Sequence, residues 1–155
     1  MINYIDSKEY NIKSIRKSIG IISQKPDFFN ISLRENLLME TNKKYSDAQL
    51  IEFLKDIDLD IDINDLNENI GVQGSKYSGD QKQRIGIILT LLSDCNVILF
   101  DEPTSALDDY TERKTIDIIL KLGFGKTLIF ITHKPAILEH VDKIITLENQ
   151  KNKFD

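Results

Sequence analysis

The stretch from Lys76 to Asp108, KYSGDQKQRIGIILTLLSDCNVILFDEPTSALD, constrains the fold more than any other part of the chain. Ser78 to Gln81 form a small polar turn that opens a helix, and Ile85 to Leu92 continue that helix as a nearly all-apolar segment. Asn96 to Phe100 then predict a short buried strand that ends on Asp101-Glu102. Open α/β sheets place their ligand chemistry at the carboxyl ends of strands, which is where these paired acids fall. Ser78-Gly79 at a helix start leaves backbone N–H groups unpaired at the positive end of the helix dipole, a setting that suits a phosphate. The stretch therefore predicts an α/β fold.

Composition narrows the class. A chain of 155 residues is long enough for one ordinary domain with its own core. With 41% hydrophobic and 29% charged residues it falls among soluble globular proteins. The net charge of -5 comes without a basic run, which argues against nucleic acid as a partner. Cys95 is the single cysteine, so no disulfide framework or cysteine metal cluster forms within one chain, and it reads as a small buried apolar residue. No apolar run approaches the ~20 residues of a membrane helix, and MINYIDSKEY has no signal pattern. The expected location is the cytoplasm, with any membrane attachment made through a partner. The acid-rich Asp56 to Asp65 reads as a solvated loop or helix end, because it lacks the glycine of a calcium loop.

In chain order, Met1 to Tyr4 predict the end of a strand, Asp6 to Lys8 a turn, Ile12 to Lys17 a short helical turn and Ile19 to Ser23 an apolar strand with Gln24 at its end. Asn30 or Ser32 caps a helix running to about Met39. Ser46 and Gln49 form a capping-box pattern ahead of Leu50, Ile51, Phe53, Leu54 and Ile57, which share one helical face. Asp58 to Lys76 predict a loop-rich connection with turns at Gly71 and Gly74 and with Val72 packing inward. Asp108 or Asp109 caps a helix across Glu112 to Lys121 whose buried stripe is Ile116, Ile119 and Leu120, ended by Gly123 and Gly125. Leu128 to Ile131 predict another apolar strand, ending in Thr132-His133. Pro135 to His140 predict a short helix and Asp142 to Leu147 a final strand. His140 reads as a surface residue.

Several of these pieces together resemble the ATP-binding cassette (ABC) family. YSGDQ stands where that family has its LSGGQ signature, VILFDE resembles its Walker-B strand with the following glutamate, and SALD (Ser105 to Asp108) resembles its D-loop. SIRKSIGIISQKPDFFNISLRENLL resembles the Q-loop region of ABC exporters through Ile15-Arg16, Gln24, Phe28-Phe29 and Ser32 to Leu37. His133 falls at the place of the family's switch histidine. The resemblance implies a partial P-loop NTPase (RecA-like) sheet with an inserted helical subdomain, about residues 28–93, that carries the signature helix. It implies ATP and Mg²⁺ as cofactors and an ABC-type ATPase of exporter type, coupling ATP hydrolysis to transmembrane transport. In the implied roles Asp101 holds Mg²⁺ through water, and Glu102 is the general base or water-orienting group. His133 contacts the γ-phosphate, and Gln24 reaches Mg²⁺ and water. Ser78, Gly79 and Gln81 close on the nucleotide of an opposing subunit, and Asp108 sits at the dimer seam. The implied partners are a transmembrane domain and a second nucleotide-binding domain, paired head to tail at the inner face of the membrane.

Two departures from the family pattern alter these expectations. No G-x-x-x-x-G-K-[S/T] phosphate loop occurs in the 155 residues. Gly125-Lys126-Thr127 has Leu120 where the first glycine is required, and it precedes a strand instead of opening a helix. The chain is therefore expected to be an N-terminally truncated nucleotide-binding domain, inactive by itself. An upstream segment bearing the P-loop is a further implied partner. The alternative is a non-catalytic module that lends its signature and Q-loop to a partner holding the P-loop. The second departure is Asp80, in place of the second signature glycine. A carboxylate ~5 Å from a phosphate charge at an effective dielectric of ~20 is repelled by roughly 3 kcal/mol, so a weakened signature site is expected.

Overall fold

The computed structural model describes residues 11–22, 26–105 and 107–146. A three-stranded parallel sheet runs in the order β1 (Ile19–Ile22), β2 (Val97–Asp101), β3 (Thr127–Ile131). The strands are in simple register: Ile22 lies opposite Phe100, and Phe100 opposite Phe130. All three run the same way, so their carboxyl ends share one edge, with Asp101 beside Ile131.

Strand alternation gives the sheet two unlike faces. Ile22, Ile98 and Phe100 point to one side, where Ile87 and Leu91 of α5 (Gly79–Leu92) and Ile119 of α6 (Asp109–Leu122) cover them. Phe100 and Phe130 stack there with ring centroids 4.7 Å apart. On the other side stand Ile19, Ile21, Ile129 and Ile131, exposed by 39, 63, 48 and 52%.

The remaining helices gather beside the sheet. α1 (Ile12–Ser18) leads into β1, and α2 (Leu33–Leu38), α3 (Asp47–Asp56) and α4 (Ile63–Asn67) pack round α5. Leu33, Leu37, Leu50, Leu54, Ile57, Leu66 and Ile70 form one cluster with Ile85, Ile88 and Leu92. The apolar run in α5 has its explanation here: Ile85, Ile88 and Leu92 enter this cluster while Ile87 and Leu91 enter the sheet's. Local capping fixes where the helices begin. Ser32, Ser46 and Ser78 each complete a capping box with the Glu or Gln three residues on, and Asp108 caps α6.

The sequence expectations differ from the structure in four places. The connection from Asp58 to Lys76 is more ordered than a loop: Asp62 caps α4, a 3₁₀ turn spans Val72–Gly74, and Leu59, Ile61, Leu66 and Ile70 are buried. Alternating Asp with Ile or Leu here is a buried–exposed pattern rather than a solvated run. Val72 does not pack inward but is 69% exposed, because the left-handed Gly71 (φ 80°) turns the chain after Ile70 has taken the buried place. Ile118 joins Ile116 and Ile119 in the buried stripe of α6, whereas Leu120 is only half-buried, since α6 meets both clusters. Residues 142–146 form no strand. A strand needs a neighbour to take its N–H and C=O groups, and among the described residues none pairs there. Met1 to Lys8 and Leu147 lie outside the described residues. α7 spans Pro135–Leu138, and His140 is exposed as expected. Cys95 is buried.

Candidate functional site

The carboxyl edge of β2 and β3 brings Asp101, Glu102 and His133 together. Asp101 is the last residue of β2 and is exposed. Glu102 follows with a left-handed backbone (φ 51°), rare for a residue with a side chain. Three hydrogen bonds hold that conformation: its N–H donates to Ile131 O (2.9 Å), and its carbonyl accepts from Ser105 N (3.3 Å) and Gln83 Nε2 (3.3 Å). The turn aims the carboxylate at the next strand end, where Glu102 Oε1 lies 2.8 Å from His133 Nδ1. An ionised carboxylate only accepts, so Nδ1 carries the proton in this pair. The Glu102 side chain is 23% exposed and the imidazole 76%. Nε2 is then an acceptor in the neutral ring and a donor in the imidazolium. A phosphate oxygen also only accepts, so contact with it requires the imidazolium or release of the ring from Glu102.

The signature turn forms a separate hydrogen-bonded group. Ser78 Oγ accepts from Gln81 N (3.4 Å), and Gln81 Oε1 accepts from Ser78 N (2.9 Å). Gly79 has open space where a Cβ would stand. Asp80 does not stand free as a repelling charge. Ser78 Oγ donates to its Oδ1 (2.6 Å) and Arg84 Nη2 to its Oδ2 (3.1 Å). The Ser78 hydroxyl, with Arg84 adding, holds the Asp80 carboxyl below its usual range. Arg84 is itself buried and donates to the carbonyls of Ile57 (2.6 Å) and Asp58 (3.0 Å). Among the described residues no hydrogen bond joins Ser78, Gly79 or Gln81 to Asp101, Glu102 or His133. The link runs one helical turn further, through Gln83 to the Glu102 carbonyl.

Asp108 is committed to its helix, accepting from Tyr110 N (3.0 Å), Thr111 N (3.1 Å) and Thr111 Oγ1 (2.8 Å). Those donors, the Thr111 N–H first, hold its carboxyl below the usual range. Between Glu102 and Asp108 lie groups that the sequence did not single out: Thr104 donates to buried Glu112, and Lys134 reaches the same carboxylate. Their only sequence signal is that Lys134 follows His133 directly. Gln83, Arg84, Thr104 and Glu112 carry no spacing pattern, because the fold and not the chain makes them neighbours. Gln24 lies outside the described residues. β1, which it would follow, ends at Ile22 opposite Phe100.

No group of three or more His, Cys, Asp or Glu able to hold a metal gathers among the described residues. The carboxylate of Asp101, exposed at the end of β2, is an oxygen donor of the kind Mg²⁺ takes one or two of, with its other ligands drawn from phosphates and water.

Comparison with known proteins bears on this geometry. The sequence profile of the family described as ABC transporter matches residues 1–105. The chain is 35% identical over 144 residues to the glutathione/L-cysteine transport system ATP-binding/permease protein CydC of Haemophilus influenzae, covering 90% of this chain and 25% of that protein. It is 32% identical over 155 residues to the ATP-dependent lipid A-core flippase of Francisella novicida, covering 97% of this chain and 26% of that one. Among solved structures, a bacterial Atm1-family ABC exporter with ATP bound superposes with a TM-score of 0.69 and 28% identity, covering 84% of this chain and 24% of that chain. The chain thus spans about a quarter of the length of these relatives.

Proposed function

The chain belongs to the ABC transporter family, as a nucleotide-binding domain of exporter type, and on that premise we propose that it couples ATP hydrolysis to transport across a membrane. The observation that carries the proposal is the Glu102–His133 contact of 2.8 Å at the shared carboxyl edge of two parallel strands, with Asp101 beside it. Phosphoryl transfer to water needs a positioned water and stabilisation of negative charge spreading over the γ-phosphate. Asp101 and Gln24 would hold Mg²⁺, which would supply charge neutralisation at the phosphates. Glu102 orients the attacking water and accepts its proton, and His133 steadies the γ-phosphate side. Ser78, Gly79 and Gln81 present the start of α5 to a nucleotide held by a second nucleotide-binding domain, paired head to tail, with Asp108 at the seam. Residues 28–93 act as a helical subdomain, and a transmembrane domain is the further partner, through which the chain sits at the inner face of the membrane. No helix of the described residues is long and apolar enough to cross a membrane.

The 155 residues contain no P-loop, so the isolated polypeptide is expected to bind ATP weakly or not at all and to show no turnover. A P-loop-bearing segment completes the site by packing on the exposed sheet face of Ile19, Ile21, Ile129 and Ile131. Parallel sheets are ordinarily covered on both faces, which supports this. Calorimetry with Mg²⁺ and ATP on the folded chain should give no stoichiometric heat; clear binding would overturn the reading of the phosphate site. With a P-loop-bearing partner added, ATP turnover should appear, and Glu102→Gln should reduce it by about 10²-fold or more. Turnover indifferent to Glu102→Gln would instead favour the non-catalytic reading, in which the chain lends its signature turn and Q-loop. The already formed capping box at Ser78 is the observation that keeps this second reading open.

A further inference from the structure

Lys134 follows His133 and is the best-satisfied cation near the strand ends. Its ammonium has three N–H donors, and three acceptors stand round it: Thr104 O at 2.7 Å, Leu107 O at 3.2 Å and Glu112 Oε2 at 3.4 Å. The Glu112 side chain is only 8% exposed, and its other oxygen accepts from Thr104 Oγ1 at 2.7 Å. The backbone N–H of Lys134 donates to Thr132 Oγ1 at 3.0 Å, fixing the chain on both sides of His133. One side chain therefore ties the segment carrying His133 to both ends of the run from Thr104 to Leu107, and through Glu112 to α6.

We infer that Lys134 is a positioning residue for the hydrolytic site, a role that rests on the function proposed above. Glu102 stands at one end of the tied segment and Asp108 at the other. Glu102 also contacts His133, so the clamp closes a loop of contacts in which base, histidine and dimer-seam aspartate keep fixed relative places. A misplacement of about 1 Å at such a site costs up to about 10²-fold in rate. Lys134 does not touch the reacting atoms. It acts by holding the backbone carbonyls of Thr104 and Leu107.

Removing the lysine alone leaves the buried Glu112 carboxylate without its cation, which destabilises the fold for reasons unrelated to catalysis. The informative variant is therefore Lys134→Met combined with Glu112→Gln, which removes both charges and keeps the Thr104 hydroxyl bond. The variant and the wild-type chain, each assembled with a P-loop-bearing nucleotide-binding partner, are compared in Mg²⁺-ATP turnover. The expected result is a kcat lower by about 10- to 100-fold with KM for ATP within about twofold, while the urea midpoint stays near wild type. A kcat restored together with stability would overturn the positioning role. Amide exchange on the chain alone gives a reading that does not depend on turnover. The N–H groups of Ser105 and Leu107 should exchange at least tenfold faster in the double variant, while those of α5 are unchanged. Equal protection in both proteins would sink the clamp. Loss of turnover in the wild-type assembly itself, with the exchange difference present, would count against the proposed function and leave the clamp standing.

Discussion

Glu102 shows most plainly how one residue couples structure to chemistry. Its φ of 51° is a conformation that glycine adopts freely and other residues adopt at a cost of about 1 kcal/mol or more. The fold retains it because the turn aims the carboxylate at His133 while the Ile131 carbonyl takes the Glu102 N–H. Replacing the side chain should therefore separate strain from function. Glu102→Gly should be more stable to urea than Glu102→Ala by about 1 kcal/mol, although neither keeps the carboxylate. Equal midpoints would mean that the turn stores no strain. Asp80 teaches the opposite lesson about charge. Its carboxylate is a repelling group on paper, yet Ser78 and Arg84 engage both its oxygens. That pairing lies between residues on one helix, within reach of a sequence argument, but the burial of Arg84 against the Ile57 and Asp58 carbonyls is not.

At the scale of elements, α5 is the hinge of the arrangement. It feeds two apolar clusters, presents the signature turn at its start and holds the Glu102 carbonyl through Gln83. Gly86 lets Pro26 approach it closely: a Cβ there would meet the Pro26 ring carbons at 2.6 and 2.8 Å. Two effects of Gly86→Ala oppose each other. Alanine favours the helix by about 1 kcal/mol, whereas overpacking costs typically about 1–3 kcal/mol. The ring belongs to backbone-tethered proline and has little room to yield, so net destabilisation is expected in urea unfolding followed by circular dichroism. A stabilised variant would show that the approach of Pro26 is loose. The helix starts were legible from sequence because capping is local: Ser32, Ser46 and Ser78 each act on a partner three residues away. The ordered run through α4 was not, because its short apolar positions gain stability only against α2, α3 and α5.

The molecule as a whole presents one sheet face covered by α5 and α6 and another left open at Ile19, Ile21, Ile129 and Ile131. The isolated chain should therefore bind a hydrophobic dye and associate as its concentration rises. Ile21→Thr with Ile129→Thr should reduce both, with a urea midpoint shifted by no more than about 0.5 kcal/mol per site, as for exposed positions. A loss of several kcal/mol would show that these side chains are buried in solution. The sequence by itself determined the α/β class, the strands β1 to β3, the capped starts of α2, α3, α5 and α6 and the family, because apolar periodicity, capping and motif spacing are properties of neighbours along the chain; it missed α4, and the strand it predicted from Asp142 does not form over residues 142–146. It also placed Asp101, Glu102 and His133 at strand ends. Only the tertiary structure decided that β1, β2 and β3 lie side by side and parallel, which sets Glu102 against His133. The left-handed turn at Glu102 and the Lys134–Glu112 pair likewise arise from residues far apart in sequence, whose contacts exist only once the sheet has aligned their ends.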